Sequence, residues 1–318
     1  MTHKRWEDFN GRSVAASKNV AAAAYFPMEL ARPVHTIEQV FCHALPERAM
    51  HPTLQHCRRL WWLLPFLSGC AALPVPVESR APPCAAKGIV IVVDGAGGYQ
   101  NAPRAIAAAV DEQRLPVHVR SFDWSHGQGR GLADVTDVAY ARCQGQLLAE
   151  QVCRYRGAYP NVPIYLVGFS AGSTVVLTAA ERLPADTLER IVLLAPSVSA
   201  DYDLRGALAS SRQGLDAFTS ERDQFYLGLG TAVVGTSDGK MEPAAGRIGF
   251  RAPALAPNEQ WLAGRLRQHA WDPRVAWTGN NGGHSDSLRP AYLKAYVLPL
   301  LTPAGKGVGA NIMSGGQR

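Results

Sequence analysis

The chain has 318 residues, 47% hydrophobic and 18% charged, which excludes a disordered chain and allows one large α/β domain or two small ones. The net charge is +6, with eight Lys/Arg against five Asp/Glu in residues 1–69. Without a Lys/Arg run in the remainder, no nucleic-acid surface is expected. Six cysteines, at 42, 57, 70, 84, 143 and 153, form no C-x-x-C pair, and H-E-x-x-H is absent, so no structural zinc or metalloprotease site is predicted; no cofactor is expected. Cys143 and Cys153 fall on one predicted helix, roughly 15 Å apart at 1.5 Å per residue, too far to form a disulfide.

Within the first eighty residues the informative stretch is Arg58-Arg59 followed by the apolar run Leu60 to Leu67 and then Ser68-Gly69-Cys70-Ala71. A basic start, a short apolar core and small residues at the end describe an export signal. The run is too short to span a bilayer, which takes about 20 residues. Leu67-Ser68-Gly69-Cys70 resembles the lipobox of bacterial lipoproteins. That resemblance implies cleavage before Cys70, lipid attachment to its sulfur and a bacterial cell-envelope location, lipid-anchored to a membrane. Met50 would give a signal of ordinary length, residues 50–69, so 1–49 reads as a mis-called or disordered extension. Residues 70–87, rich in proline, read as a tether from membrane to domain.

From residue 88 the pattern becomes that of an α/β domain. Gly88 to Val93 is a continuous apolar run, a strand buried on both faces, ending in Asp94-Gly95-Ala96-Gly97-Gly98-Tyr99. A dinucleotide fingerprint would need glycine where Gln100 stands, so that reading fails. A helix from about Pro103 to Arg114 follows, then a strand from Val117 to Phe122 opening into the loop Asp123 to Gly131. A loop after a parallel strand faces the ligand, making Trp124 and His126 candidate pocket walls. From Leu132 to about Arg156 the spacing predicts one long crossover helix with Val135, Val138, Ala139, Leu147, Leu148 and Val152 inward.

The chain is organised around Ile164 to Ser173. An apolar strand ends at Ser170, flanked by Gly168 and Gly172, and a buried helix follows to Leu183. Strand, glycine-flanked serine and helix are the context of a nucleophile elbow, with Phe169 a third candidate wall. A strand at Ile191–Leu194, a short helix from Asp203 to Ser211 and a strand at 215–220 follow, too closely spaced for an inserted lid. Asp223 lies in the next turn, with Asp238 as the competing acid; both also suit turns. Residues 224–272 read as an excursion ending in a helix, Asn258 to His269. Val275–Trp277 reads as the last strand, and His284 sits on a glycine-rich loop before a helix at Pro290–Leu298.

Ser170, Asp223 and His284 occur in the order nucleophile, acid, base. On these motifs residues 88–301 resemble an α/β-hydrolase-fold serine hydrolase, esterase- or lipase-like. The resemblance implies a mostly parallel sheet with helices on both faces and no large lid, with 302–318 as a disordered tail. It also implies hydrolysis of a small-molecule or lipid carboxylic ester through an acyl-enzyme. The oxyanion hole would comprise the Ala171 N–H and one from the loop after the first strand, Ala96 or Gly97, where lipases carry an HGGG-type motif and this chain has Asp94. Acyl transfer by the same residues, or an inactive hydrolase fold serving as a scaffold, are the alternatives; oligomeric state and substrate are open.

Overall fold

The computed structural model describes residues 76–303, apart from residue 81, residues 225–226 and residues 229–233. The described residues belong to the second of two units into which the chain divides, Ala72–Arg318. The expected signal, Cys70, the extension before it and the tail beyond residue 303 lie outside the described residues.

Six parallel strands form the sheet, in the order β2-β1-β3-β4-β5-β6: β1 Ile89–Val93, β2 His118–Phe122, β3 Ile164–Phe169, β4 Arg190–Leu194, β5 Leu215–Thr219 and β6 Leu266–Ala270. β1 shows why the central strands read as continuous apolar runs. Ile89, Ile91 and Val93 enter one core and Val90 and Val92 the other, all fully buried. Each such side chain contributes about 2 kcal/mol of burial, and a parallel sheet covered on both faces needs them on both. One face is covered by α3 (Val138–Ala158), α4 (Gly172–Glu181) and α5 (Arg205–Ser210), through Leu148, Val152, Val175, Leu177 and Leu208. The other is covered by α1 (Asn101–Glu112) and the helical turns from Pro290 to Leu301, through Ile106, Val110, Val297 and Leu301. This is the expected α/β architecture. Among the described residues no helix is long and apolar enough to cross a membrane.

Four expectations need correction. The long crossover helix is two helices, α2 (Gly131–Thr136) and α3, broken at Asp137, whose carboxylate caps α3 by accepting from Tyr140 N at 2.9 Å. The break rotates the inner face onto Ala141, Gly145, Leu148, Ala149 and Val152, leaving Leu147 and Ala139 exposed. The predicted helix Asn258–His269 is a 3-10 turn at Pro257–Leu262 followed by β6. β6 is a half-exposed edge strand, Leu-Arg-Gln-His-Ala, whose extended form comes from pairing with β5 rather than from an apolar pattern. The predicted strand at Val275–Trp277 is a 3-10 turn, Pro273–Thr278, started by Pro273 and capped by Asp272, which accepts from Arg274 N at 2.8 Å. The described part of the expected tether is packed on the sheet: Ser79 N donates to Val119 O and Ser121 N to Val77 O, antiparallel along the free edge of β2.

Candidate active site

β3 delivers Ser170 at the carboxyl end of the sheet, half-buried, with φ of +50°. A non-glycine residue held there costs about 1–2 kcal/mol, so neighbours must impose it. Ser170 N donates to Leu194 O at 3.0 Å, and Ser170 O accepts from Ser173 N at 3.0 Å and Ser197 N at 3.3 Å. The flanking glycines permit the turn. A Cβ on Gly172 would lie 2.4 Å from Asp94 O and 2.6 Å from Val93 O, both backbone atoms that cannot swing aside. A Cβ on Gly168 would lie 3.1 Å from Ser173 Cα. The end of β1 is therefore pressed against the start of α4, and an atom on Gly95 would lie 3.2 Å from Ser170 Cβ.

The loops after β5 and β6 bring Asp223 and His284 to this serine. His284 Nδ1 lies 2.5 Å from Asp223 Oδ2, and His284 Nε2 lies 2.9 Å from Ser170 Oγ. An ionised carboxylate can only accept, so Nδ1 carries the proton and Nε2 is left with a lone pair for the serine O–H. Asp223 is 3% exposed, and the Phe169 ring backs His284 at 5.2 Å between centroids. Ser220 Oγ donates to Gly282 O at 2.7 Å and ties the two loops together, while Trp271 Nε1 donates to Asn280 O at 3.0 Å and braces the loop after β6 from within. Asp286 accepts from Asn281 N and Gly283 N at 3.1 and 3.0 Å, closing the turn that presents the histidine. Asp286 escaped sequence reasoning, although an aspartate two residues beyond a Gly-Gly-His segment is a turn signal.

The other named residues fall elsewhere. Asp238, the competing acid, is bound to Ser199 through N at 2.8 Å and Oγ at 2.9 Å, and so holds the loop after β4. Trp124 is 2% exposed and donates Nε1 to Asp94 O at 2.8 Å, lying under the β1 loop instead of lining a pocket. His126 is half-buried, with Nδ1 2.9 Å from Asp134 Oδ1 and its ring packed on Tyr140. Gly97 is withdrawn as a free donor, because its N–H already reaches Asp134 Oδ2 at 2.7 Å. Ala171 stands at the N-terminus of α4, and Ala96 lies one residue beyond Gly95 on the β1 loop. Asp94 is an acceptor, taking Asn101 N and Ala102 N at 2.9 and 3.0 Å at the start of α1. Burial pushes its carboxyl above the ordinary value despite those backbone bonds. Among the described residues, no group of three or more His, Cys, Asp or Glu is placed to hold a metal ion.

A parallel α/β sheet crossed over between β2, β1 and β3, carrying a serine on a strained turn after β3 and a histidine on the loop after β6, defines the α/β-hydrolase fold. No family model matches the chain, and comparison with curated proteins yields no match. Among solved structures it is similar to esterase PE8 (18% identity, TM-score 0.42, covering 68% of this chain and 94% of that one). It is also similar to the esterase domain of a Rhodothermus marinus protein (16%, TM-score 0.37, 68% and 86%) and to Est1E from Butyrivibrio proteoclasticus (12%, TM-score 0.38, 71% and 92%). At these scores the likenesses carry no argument, and the site rests on its own distances.

Proposed function

We propose that the protein is a serine hydrolase that cleaves a carboxylic ester through an acyl-enzyme. The observation that carries the reading is a single imidazole within hydrogen-bond reach of both a strained serine and a buried carboxylate. A serine hydroxyl is a weak nucleophile until a base takes its proton. His284 Nε2 accepts that proton as Ser170 Oγ attacks the ester carbonyl. Asp223 keeps Nδ1 protonated and stabilises the imidazolium that forms. The Ala171 N–H at the start of α4 and the Ala96 N–H on the β1 loop meet the negative oxygen, each donor supplying about 3 kcal/mol. Histidinium then protonates the departing alcohol. Water, deprotonated by the same imidazole, attacks the acyl-serine, and collapse of the second tetrahedral adduct releases the acid and restores Ser170.

Purified protein should release a burst of product from a short acyl ester and react covalently with a fluorophosphonate, both dependent on Ser170. Turnover persisting in Ser170→Ala would defeat the reading. Silence toward both reagents in folded protein would instead favour an inactive scaffold.

We further propose that the enzyme is held at a bacterial envelope membrane through lipid on Cys70. Support comes from Arg58-Arg59, the apolar run and Leu67-Ser68-Gly69-Cys70. Two or more acyl chains anchor stably where one does not. Mass spectrometry of the N-terminal peptide should find a diacylglyceryl-modified Cys70, and Cys70→Ser should release the protein into the soluble fraction; an intact, unmodified N-terminus would refute the anchor.

A further inference from the structure

The geometry points to Asp134 as the positioning residue of the oxyanion loop, a role that rests on the hydrolase reading above. Asp134 is 1% exposed, on α2, and both of its oxygens are occupied by two loops that end at the site. Oδ2 accepts from Gly97 N at 2.7 Å and from Ser125 Oγ at 2.6 Å. Oδ1 accepts from His126 N at 2.8 Å and lies 2.9 Å from His126 Nδ1. One buried carboxylate thus staples the loop after β1 to the loop after β2. His126 Nε2 leans on Asp137 at 3.5 Å and its ring on Tyr140, so the staple is itself braced from α3.

The stapled segment needs it. Gly97 and Gly98 have φ of +98° and +66°, and Gln100 follows at +58°. Three left-handed residues within four positions do not hold one conformation by local preference. On the other side, Asp94 is pinned by Trp124 Nε1 on its carbonyl and by its own carboxylate on the first turn of α1. Ala96 therefore lies between two anchored residues, with its N–H direction set by Asp94 before it and Gly97 after it. Replacing Asp134 by asparagine turns one acceptor into an NH2 that opposes N–H and O–H donors, so the loop is freed with almost no change in volume.

The test separates loop positioning from general destabilisation. Full-length wild type and Asp134→Asn are compared on a matched pair of substrates, a short aryl ester and its thionoester, in which sulfur replaces the carbonyl oxygen. Sulfur is larger and a poorer acceptor, so the ratio of the two rates reads the alignment of oxyanion donors. Asp134→Asn should lower kcat on the oxygen ester about tenfold or more, leave KM within about twofold, and lower the oxygen-to-sulfur preference about fivefold. Ser125→Ala, which removes one of the four partners, should shift the same ratio in the same direction by less. It is the variant to read if Asp134→Asn does not fold. An unchanged ratio, whether both rates fall in parallel or neither falls, overturns the proposal. Wild type inert toward every acyl ester would instead sink the hydrolase reading, before any Asp134 variant is made.

Discussion

β5, β6 and the loops that follow them carry two Asp–His pairs of nearly the same local geometry. His269 Nε2 lies 2.8 Å from Asp216 and its ring stacks on Phe218 at 4.6 Å; His284 Nδ1 lies 2.5 Å from Asp223 and its ring lies 5.2 Å from Phe169. Asp216 is fully buried within β5 and also takes Arg190 Nη1 at 2.5 Å and Arg267 Nε and Nη2 at 2.9 and 2.7 Å. Burial would raise its carboxyl, but hydrogen bonds from His269 and Arg267 and the charges of Arg267 and Arg190 outweigh it and hold the group well below its ordinary value. Asp223 ion-pairs with His284 and, among the described residues, with no lysine or arginine. A carboxylate whose charge is already matched by two guanidiniums ties the edge strand to the sheet. A carboxylate that among the described residues meets an imidazole and the Leu227 N–H at 3.4 Å, and no guanidinium, is free to answer a charge that the proposed mechanism places on that imidazole. Residue types and distances are nearly shared; the neighbours decide the use.

That contrast can be broken or sharpened in order of effect. Ser170→Ala should remove the acyl-ester burst entirely and lower kcat by roughly 10^4 to 10^6, measured by pre-steady-state product release. Asp223→Asn should lower kcat by about 10^4, because the imidazole then loses its preferred tautomer, with little change in melting temperature. Asp216→Asn should do the reverse. It leaves Arg190 and Arg267 without their buried partner, at a cost of about 3 kcal/mol in denaturant unfolding, while kcat stays within about threefold of wild type. A large loss of kcat there would erase the distinction between the pairs.

The contrast also has a pH signature. The Asp216 carboxyl titrates below its usual 3.8 in the folded protein. Its stabilisation is therefore complete above that value and is lost as the pH falls through the folded-state value. Stability curves of wild type and Asp216→Asn should stay separated at neutral pH and converge only below about pH 4; convergence near pH 7 would show that the ion pairs stabilise little. The smallest effect is expected for His269→Gln, about 1 kcal/mol of stability for one lost hydrogen bond, with the ester burst intact.

Much of the fold was legible in the sequence because its signals are local. The strands at 89–93, 118–122, 164–169, 190–194 and 215–219 were read within a residue or two; the central ones at 89–93, 164–169 and 190–194 stand out because a strand buried on both faces is almost wholly apolar. β6 was not legible, because an edge strand with Arg267, Gln268 and His269 has no apolar signature and takes its form from β5. Of the candidate site, Ser170, Asp223 and His284 were nameable from turn context and chain order. Asp134 and Asp286 were not, since a buried aspartate on a short helix and an ordinary turn aspartate look alike until their acceptors are filled.

The sequence by itself determined which chemistry-bearing residues stand at the ends of strands, and in what order, because periodicity and glycine placement act over a few neighbouring residues. Only the tertiary structure decided which acid the histidine meets, that Gly97 has spent its N–H, and that a second Asp–His pair belongs to the sheet instead of the site. Those outcomes depend on hydrogen bonds between residues 37 to 61 positions apart, whose free energy exists only once the strands have brought their loops to one edge.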